Sequence, residues 1–429
     1  METLEKAVNW FNNSTGVKLA VIAVLTMLLL IPAAMIMDLI REREQRRDAT
    51  IIEVTEIWGN KQTISAPFIT IPYEVAQLNG ELALQYLHVL PSDLSIEGEV
   101  IPEIRNRGNF KVVIYTARLH FSGYFETPGL FAVKSGSGGV SGNTMWLEIG
   151  IPDMRGINKE ILVNWNGSEY AGVPGLMTDD IYNSGIHALI PAEFIGNGQF
   201  SFDIDLNGSQ ALNFVPLGKN TNVKLHSAWS SPSFAGAFLP DDREVNDDGF
   251  TAEWSVLHLN RNYPQEWTDD QYKVDQSAFG VELITPVDNY QKSMRSAKYA
   301  VMFIALTFLV FLFAEIKNKT RIHAIHYLLA GLALCIFYSL LTALSEHIAF
   351  NLSFLIASLV IITMITLYAH GIFKKSTVTL VVLLSLIALY TFLFVILQLA
   401  DYALLFGNIG LVIILAIVMY FARKINWYS

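Results

Sequence analysis

The spacing of its apolar runs constrains this chain more than any other feature. A membrane-spanning helix needs about 20 apolar residues, because each adds about 1.5 Å across a hydrocarbon core of roughly 30 Å. Six runs reach or approach that length: 19–37, 299–314, 324–344, 348–369, 378–399 and 402–422. The second is short, but Arg295, Lys298 and Lys317 flank it and can snorkel. Four consecutive runs near full span length do not suit the buried helices of a soluble protein. Only 16% of the 429 residues are charged, against about 25% in an average soluble domain. The first run exceeds the roughly 7–15 apolar residues of a signal-peptide core, and "IPAAMIMDL" offers no clear small-x-small cleavage site, so it reads as an uncleaved anchor.

The expected fold is an α-helical membrane bundle of six transmembrane helices. A large, mainly antiparallel β domain, extracytoplasmic, is inserted between helices 1 and 2 as residues 38–298. Lysines and arginines in short loops set the orientation. Lys317, Lys319 and Arg321 join spans two and three, Lys374 and Lys375 join four and five, and Arg423 and Lys424 follow the last. The alternate connections, at Glu346 and Asp401, carry neither residue type. Both termini, 1–18 and 423–429, are therefore expected in the cytoplasm. Arg41, Arg43, Arg46 and Arg47 in "REREQRR" conflict with this, outweighing Lys6 and Lys18, but the C-terminal pattern is the more consistent.

Past the first span, "DLIREREQRRDA" reads as a continuing helix, with Glu42 and Arg46 at i,i+4 spacing. The pattern then turns to β. Val113, Tyr115, Ala117, Leu119 and Phe121 share one strand face, and Phe200, Phe202, Ile204 and Leu206 alternate with Ser201, Asp203 and Asp205. Asn-Gly pairs at Asn79, Asn166, Asn197 and Asn207 read as hairpin turns. "KSGSGGVSGN" reads as a loop. Two packed sheets or two sub-lobes are expected.

Chemical motifs are scarce. Walker, HExxH, GxSxG and dinucleotide patterns are absent, and the one cysteine, Cys335, allows no disulfide within the chain. Between Arg41 and Lys298 there are 20 basic and 33 acidic residues, an acidic balance that argues against nucleic acid as a partner. Asp241, Asp242, Asp247 and Asp248 lack the ordered ligand spacing of a calcium loop and read as solvated turns. No cofactor is implied.

Three groups of residues remain as candidates. Ser345, Glu346 and His347 form a polar island at an outer turn, with Asp401 at the next. Glu346 and Asp401 are expected to pair with Arg295 and Lys298 or with the nearby arginines, anchoring the outer domain to the bundle. Ser345 and His347, two residues apart on a turn, are poorly placed for nucleophilic catalysis. His323, His326 and His370 lie near the inner ends of spans and are a weak metal or proton-relay candidate. Trp229, Phe234 and Phe238 in "HSAWSSPSFAGAFLP" are a candidate contact surface, with core packing as the alternative.

Several long stretches resemble the CreD family of bacterial inner-membrane proteins. They include "IWGNKQTISAPFITIPY", "DMRGI", "WSSPSFAGAFLPDDREVNDDGFTAEWSVLHLNRNYPQ", "SEHIAF", "DYALLFGN" and "INWYS", in the family's order along nearly the whole chain. Ala66-Pro67 stands where Gly-Pro is expected, and "HAIHYLL" departs from the family's His-Pro-x-Gln-Tyr, which counts against a special role for His326. The resemblance implies a periplasmic outer domain and a role in cell-envelope integrity. It supplies no catalytic residues. The reading is a non-enzymatic protein embedded in the lipid bilayer that binds or stabilises another envelope protein or component. The alternatives are a membrane enzyme acting on lipid or peptidoglycan precursors, and a transporter of a neutral substrate using Asn351, Thr363, Thr366 or Gln398.

Overall fold

The computed structural model describes residues 15–76, 82–126, 144–191, 198–284, 289–318, 320, 322–399 and 403–423. It divides into two compact units, Met1–Asp48 with Val287–Ser429, and Ala49–Pro286.

The first unit is helical. Helix α1 runs from Thr15 to Trp58, so the expected first span is the apolar half of a much longer helix. Among the described residues the first strand begins at Gln62, and Arg41–Asp38 and Arg46–Glu42 pairs at one-turn spacing support the charged stretch as helix. Helix α2 (Asn289–Lys298) is short and amphipathic, lying in a stretch expected to belong to the β domain. Then come α3 (Ala300–Asn318), α4 (Ala324–Ser345), α5 (Phe350–Phe373), α6 (Ser376–Gln398) and α7 (Ala403–Ala422). Among the described residues, α1, α3, α4, α5 and α6 are long and apolar enough to cross a membrane. Their outward surfaces expose Met27, Ile31, Leu355, Leu359, Leu367 and Leu384, an apolar belt that water would not tolerate at this density. Inside, Phe303, Phe337 and Phe354 pack against the Tyr390 ring. Gly331 lets α1 approach α4: a Cβ there would lie 2.1 Å from Leu29 Cδ1.

Ion pairs bracket the apolar length of α1. Near its start, Lys18 Nζ lies 2.6 Å from Glu315 Oε1, while Tyr327 donates to Glu315 Oε2 at 2.8 Å. Near its charged end, Arg43 Nε lies 3.9 Å from Glu346 Oε1. Lys18 and Arg43 are about 37 Å apart at 1.5 Å per residue, matching a bilayer core plus its interfaces.

The second unit is built of strands. The first group is β1 (Gln62–Ala76), β2 (Leu82–Val89), β3 (Asp93–Arg107), β4 (Phe110–Phe125), β5 (Thr144–Gly150) and β6 (Leu162–Trp165). Next come β7 (Ser168–Ala171), β8 (Val173–Pro174), β9 (Gly185–Pro191), β10 (Gly198–Ser209), β11 (Ala211–Phe214) and β12 (Asn220–Ser227). Last are β13 (Pro232–Gly236), β14 (Asp242–Asn246), β15 (Gly249–Leu257), β16 (Glu266–Thr268) and β17 (Phe279–Leu283). They form two sheets. One runs β13-β17-β11-β1-β5-β9-β8, with β2 and β16 branching from β1; the other runs β14-β15-β12-β3-β4-β10-β6-β7. Pairing is antiparallel except at β1–β11 and β3–β12.

Period-two burial drives this assembly. Val113, Tyr115, Ala117, Leu119 and Phe121 of β4 and Phe200, Phe202, Ile204 and Leu206 of β10 are all buried in one core that also receives Leu147 and Ile149 of the other sheet. Phe121 and Phe202 stack at 4.9 Å. Each such ring contributes roughly 1.5–3 kcal/mol by burial.

The Asn-Gly pairs behave differently from one another. Asn166 and Gly167, at φ 49° and 86°, make the tight turn between β6 and β7. Asn207-Gly208, expected as a turn, lies inside β10. Its geometry is fixed by neighbours. The Tyr115 hydroxyl sits where a Cβ on Gly208 would be, at 2.4 Å, and Asn207 exchanges side-chain hydrogen bonds with Asn158. Asn79, Asn197 and the "KSGSGGVSGN" loop lie outside the described residues.

Within this unit the end of α1 is clamped. Asp153 Oδ2 accepts from Asn60 N at 2.9 Å and Asn60 Nδ2 at 3.0 Å, and the Arg155 side chain donates to both oxygens of the same carboxylate. Arg155 also donates to the Glu56 carbonyl. Gln62 Nε2 bridges the Asp153 and Asn207 carbonyls at 3.1 Å each. "IWGNKQT" and "DMRGI", both among the stretches that carry the family resemblance, thus meet in one joint.

Candidate functional site

Ser345, Glu346 and His347 occupy the turn between α4 and α5. Ser345 is buried, and its hydroxyl donates to the Thr342 carbonyl at 2.9 Å, so it is tied back into its own helix. Its carbonyl accepts from Asn289 Nδ2 at 2.6 Å. Glu346 accepts from the Tyr290 hydroxyl at 3.1 Å and faces Arg43. His347 is exposed, and its backbone N–H caps the Leu344 carbonyl. The turn therefore ties α4 to α1 and α2 rather than aligning a nucleophile with a base. Arg295 and Lys298 stand elsewhere on α2, and the partner Glu346 meets is an arginine of "REREQRR". Asp401 lies outside the described residues.

Each of the three histidines meets a different partner, and among the described residues they form no metal-holding group. His323 Nδ1 caps the start of α4 by accepting from Ile325 N at 3.3 Å. His326 Nδ1 meets the Tyr368 hydroxyl at 2.6 Å, and His370 Nδ1 meets Thr379 Oγ1 at 3.2 Å. Trp229, Phe234 and Phe238 pack against the β core. Phe234 stands edge-on to Phe250 and Trp254, Phe238 edge-on to Phe279, and Trp229 Nε1 donates to the Ser231 and Ile284 carbonyls. They are half-buried flanks of the core, which limits the contact surface they can offer.

Two constellations in the β unit were not expected from sequence. The first is a polar face on the second sheet, shaped as a groove of about 830 Å³. Strand register lays charged residues across it in two rungs. One reads Glu253, Lys224, Glu97, His120, Asp203 across β15, β12, β3, β4 and β10. The next reads His226, Glu99, Arg118, Asp205 across β12, β3, β4 and β10. Signs alternate from strand to strand wherever the histidines carry a proton. Lys224 reaches Glu253 at 2.5 Å, His120 reaches Asp203 at 2.7 Å, Arg118 reaches Glu99 at 3.6 Å, and Lys159 closes the second rung on Asp205 at 2.5 Å. Opposite charges on facing strands favour this strand order and register. Gly98 separates Glu97 from Glu99 on β3. Its inward side faces Leu119 and Leu225 so closely that a Cβ would lie 2.5 and 2.9 Å from their methyl groups.

The second constellation is buried in the first sheet. Thr70 of β1, His88 of β2 and Glu148 of β5 have no exposed surface. The Thr70 hydroxyl contacts Glu148 Oε2 and lies 3.1 Å from His88 Nδ1. His88 Nε2 lies 3.0 Å from Asp180 Oδ2, and Met177 N donates to Glu148 Oε1 at 2.5 Å. Burial pushes the His88 imidazole below its ordinary range, against the pull of Asp180. Burial pushes the Glu148 carboxyl up, against the Thr70 and Met177 hydrogen bonds. The only sequence signals were a histidine in "QYLHVL" and a glutamate in "MWLEIG", each within an apolar strand.

With the bundle, the clamp and the β sheets in view, the comparison with known proteins is decisive. The sequence model described as "Inner membrane protein CreD" matches residues 14–428. The chain belongs to the CreD family. It is also 32% identical over 414 residues to a protein of Escherichia coli K12 named "Inner membrane protein CreD", covering 94% of this chain and 91% of that one. The CreD assignment makes this an inner-membrane protein with apolar helices and a large, mostly antiparallel β unit. A CreD name specifies no enzyme activity, so chemistry must be argued from the residues.

Proposed function

We propose that this CreD-family protein supports cell-envelope integrity without catalysis, by holding an envelope component against the groove of its β unit. In this reading α7 is the sixth span, both termini are cytoplasmic, and the β unit is periplasmic. The loop lysines and arginines support that orientation, and the two charge clusters bracketing the apolar length of α1 fit a helix that spans the bilayer.

The observation that carries the proposal is the pair of charged rungs. A groove of about 830 Å³ is in the range of ligand sites, and the charged side chains of Glu97, Glu99, Arg118, Asp203, Asp205 and Lys224 line it, which suits a polar polymer or a protein surface over a lipid tail. An enzymatic reading would need a nucleophile and base in reach at the outer turn, and Ser345 instead donates to a helix carbonyl.

The test is survival of envelope stress in a strain lacking the gene and carrying either Glu97→Lys with Lys224→Glu, or Glu346→Gln. Membrane levels are checked for each. Rescue by Glu346→Gln with failure of the rung variant is the expected result. The reverse pattern overturns the proposal and moves the activity to the turn.

A further inference from the structure

Glu148, Thr70, His88 and Asp180 form a chain of alternating donors and acceptors whose proton count is fixed by geometry. The Thr70 hydroxyl has one proton to give and stands between two groups that can each accept it, Glu148 Oε2 and His88 Nδ1. In one arrangement Glu148 is protonated and donates to Thr70, Thr70 donates to His88 Nδ1, and His88 Nε2–H donates to the Asp180 carboxylate. In the other, Glu148 is ionised and accepts from Thr70. His88 Nδ1–H then donates to Thr70, and Nε2–H still donates to Asp180. The two differ only by one proton passed from Glu148 to His88 through the hydroxyl. Every donor meets an acceptor in both.

Any other proton count breaks the chain. With one fewer, the Glu148 carboxylate and a bare Nδ1 compete for one hydroxyl proton. With one more, Glu148 O–H and Nδ1–H both aim at Thr70 Oγ1, whose own proton loses its acceptor. Buried polar groups left unmatched in this way are costly.

We propose that Glu148 and His88 hold one shared proton through Thr70, and that this proton pins the segment carrying Met177 and Asp180 to the sheet as a pH-responsive latch. Met177 N on Glu148 and Asp180 on His88 are the segment's two polar attachments to the cluster. The other charges facing the cluster are Asp269, which acts on His88, and His187 of β9, which acts with Asp180 on Glu148. Phe68 and Trp267 close the remaining sides of the His88 ring. The inference is independent of the groove and of the family role.

The linkage has a definite sign. Once the segment is released into water the two groups regain their ordinary values, 4.5 for Glu148 and 6.5 for His88. Between those values the released pair also holds one proton, on His88, so release neither takes up nor gives off a proton. Above 6.5 the released form loses that proton and release is favoured. Below 4.5 it gains a second and release is again favoured. The latch is therefore tightest from about pH 4.5 to 6.5. It weakens by up to about tenfold per pH unit on either side.

The experiment is hydrogen exchange of residues 173–184 in the full chain, held in lipid nanodiscs, from about one pH unit below that range to about two above it, corrected for intrinsic exchange rates. Wild type should show a plateau that falls on both limbs. Glu148→Gln supplies a permanent neutral donor to Thr70, so its alkaline limb should vanish. Its protected window should move to pH values above 6.5, leaving it better protected than wild type near about pH 8 and less well near about pH 5.5. An unchanged window in the variant, or a wild-type profile without an alkaline limb, overturns the proposal. If Glu148→Gln does not accumulate, infrared spectra of the wild type decide. A protonated-carboxyl band at about pH 6 that is lost at about pH 8, together with the plateau, upholds the shared proton, and a band that does not change refutes it.

Discussion

Removing the Asp153 side chain should free the last turns of α1 from the β unit. Asp153 is buried, and Asn60 N, Asn60 Nδ2 and the Arg155 backbone and side-chain nitrogens all donate to its carboxylate. The Arg155 guanidinium, helped by the Asn60 and Arg155 backbone N–H groups, holds the carboxyl at about 2 against an ordinary 3.8. That depression corresponds to at most about 2.5 kcal/mol. Arg155 is more than half exposed, so screening reduces the figure to about 1–2 kcal/mol. In Asp153→Ala the partly buried Asn60 N–H also loses its acceptor, at about 1–3 kcal/mol. The total is about 2–5 kcal/mol, a large fraction of a typical domain's stability. A chain of two units need not unfold in one step, so the assay is hydrogen exchange of residues 49–62 in the intact, detergent-solubilised protein. Asp153→Asn keeps the shape and loses the charge, so it should cost about half as much. Because the folded carboxyl titrates low, its contribution is complete above about pH 3.8, and the gap between wild type and Asp153→Asn should close as pH falls toward about 2. A loss below about 0.5 kcal/mol for Asp153→Ala, the level of an ordinary surface change, would refute the clamp.

Two further outcomes follow from the packing. Among the described residues, Lys18→Met leaves the side chain of Glu315, 2% exposed, with Tyr327 and the Ile322 N–H as partners; it should destabilise the helical unit by about 3 kcal/mol. Thermal unfolding in detergent should show most of that loss recovered in Lys18→Met with Glu315→Gln. Gly208→Ala forces a methyl into the Tyr115 ring, which cannot retreat because its hydroxyl holds the Ala211 carbonyl at 2.7 Å; a cost of about 1–3 kcal/mol should appear in chemical denaturation.

What could be read from the sequence followed local periodicity. Apolar runs located the helices of the membrane unit, and alternation located β4 and β10 with the correct faces. The length of α1 was underestimated because "TIIEVTEIW" is rich in β-branched residues, whereas helical continuity comes from the charged turn before it and the Asp153 clamp after it. Asn207-Gly208 looked like a turn because local chemistry cannot register a tyrosine ring 93 positions earlier. The cluster of Thr70, His88, Glu148 and Asp180 was invisible for the same reason. Its members are scattered over three strands and a loop, and strand pairing brings the first three together. At the turn between α4 and α5 the sequence located the residues, while their partners depended on which helix packed beside them.

The alternating rungs also bear on how a partner would arrive. Facing strands lie about 4.8 Å apart, so each charge has its opposite well inside the roughly 8 Å screening length of physiological salt. At a distance the alternating charges offset one another in part and leave a modest acidic excess, because Glu97, Glu99, Glu160, Glu169, Asp203 and Asp205 outnumber Arg118, Lys159 and Lys224. Only a surface close enough to resolve single strands meets the pattern, and there a one-strand slip sets like against like. Such a face selects by register at contact and gives little steering on approach. Association with it should therefore gain little from steering and depend only weakly on ionic strength, with discrimination falling in the lifetime of the complex.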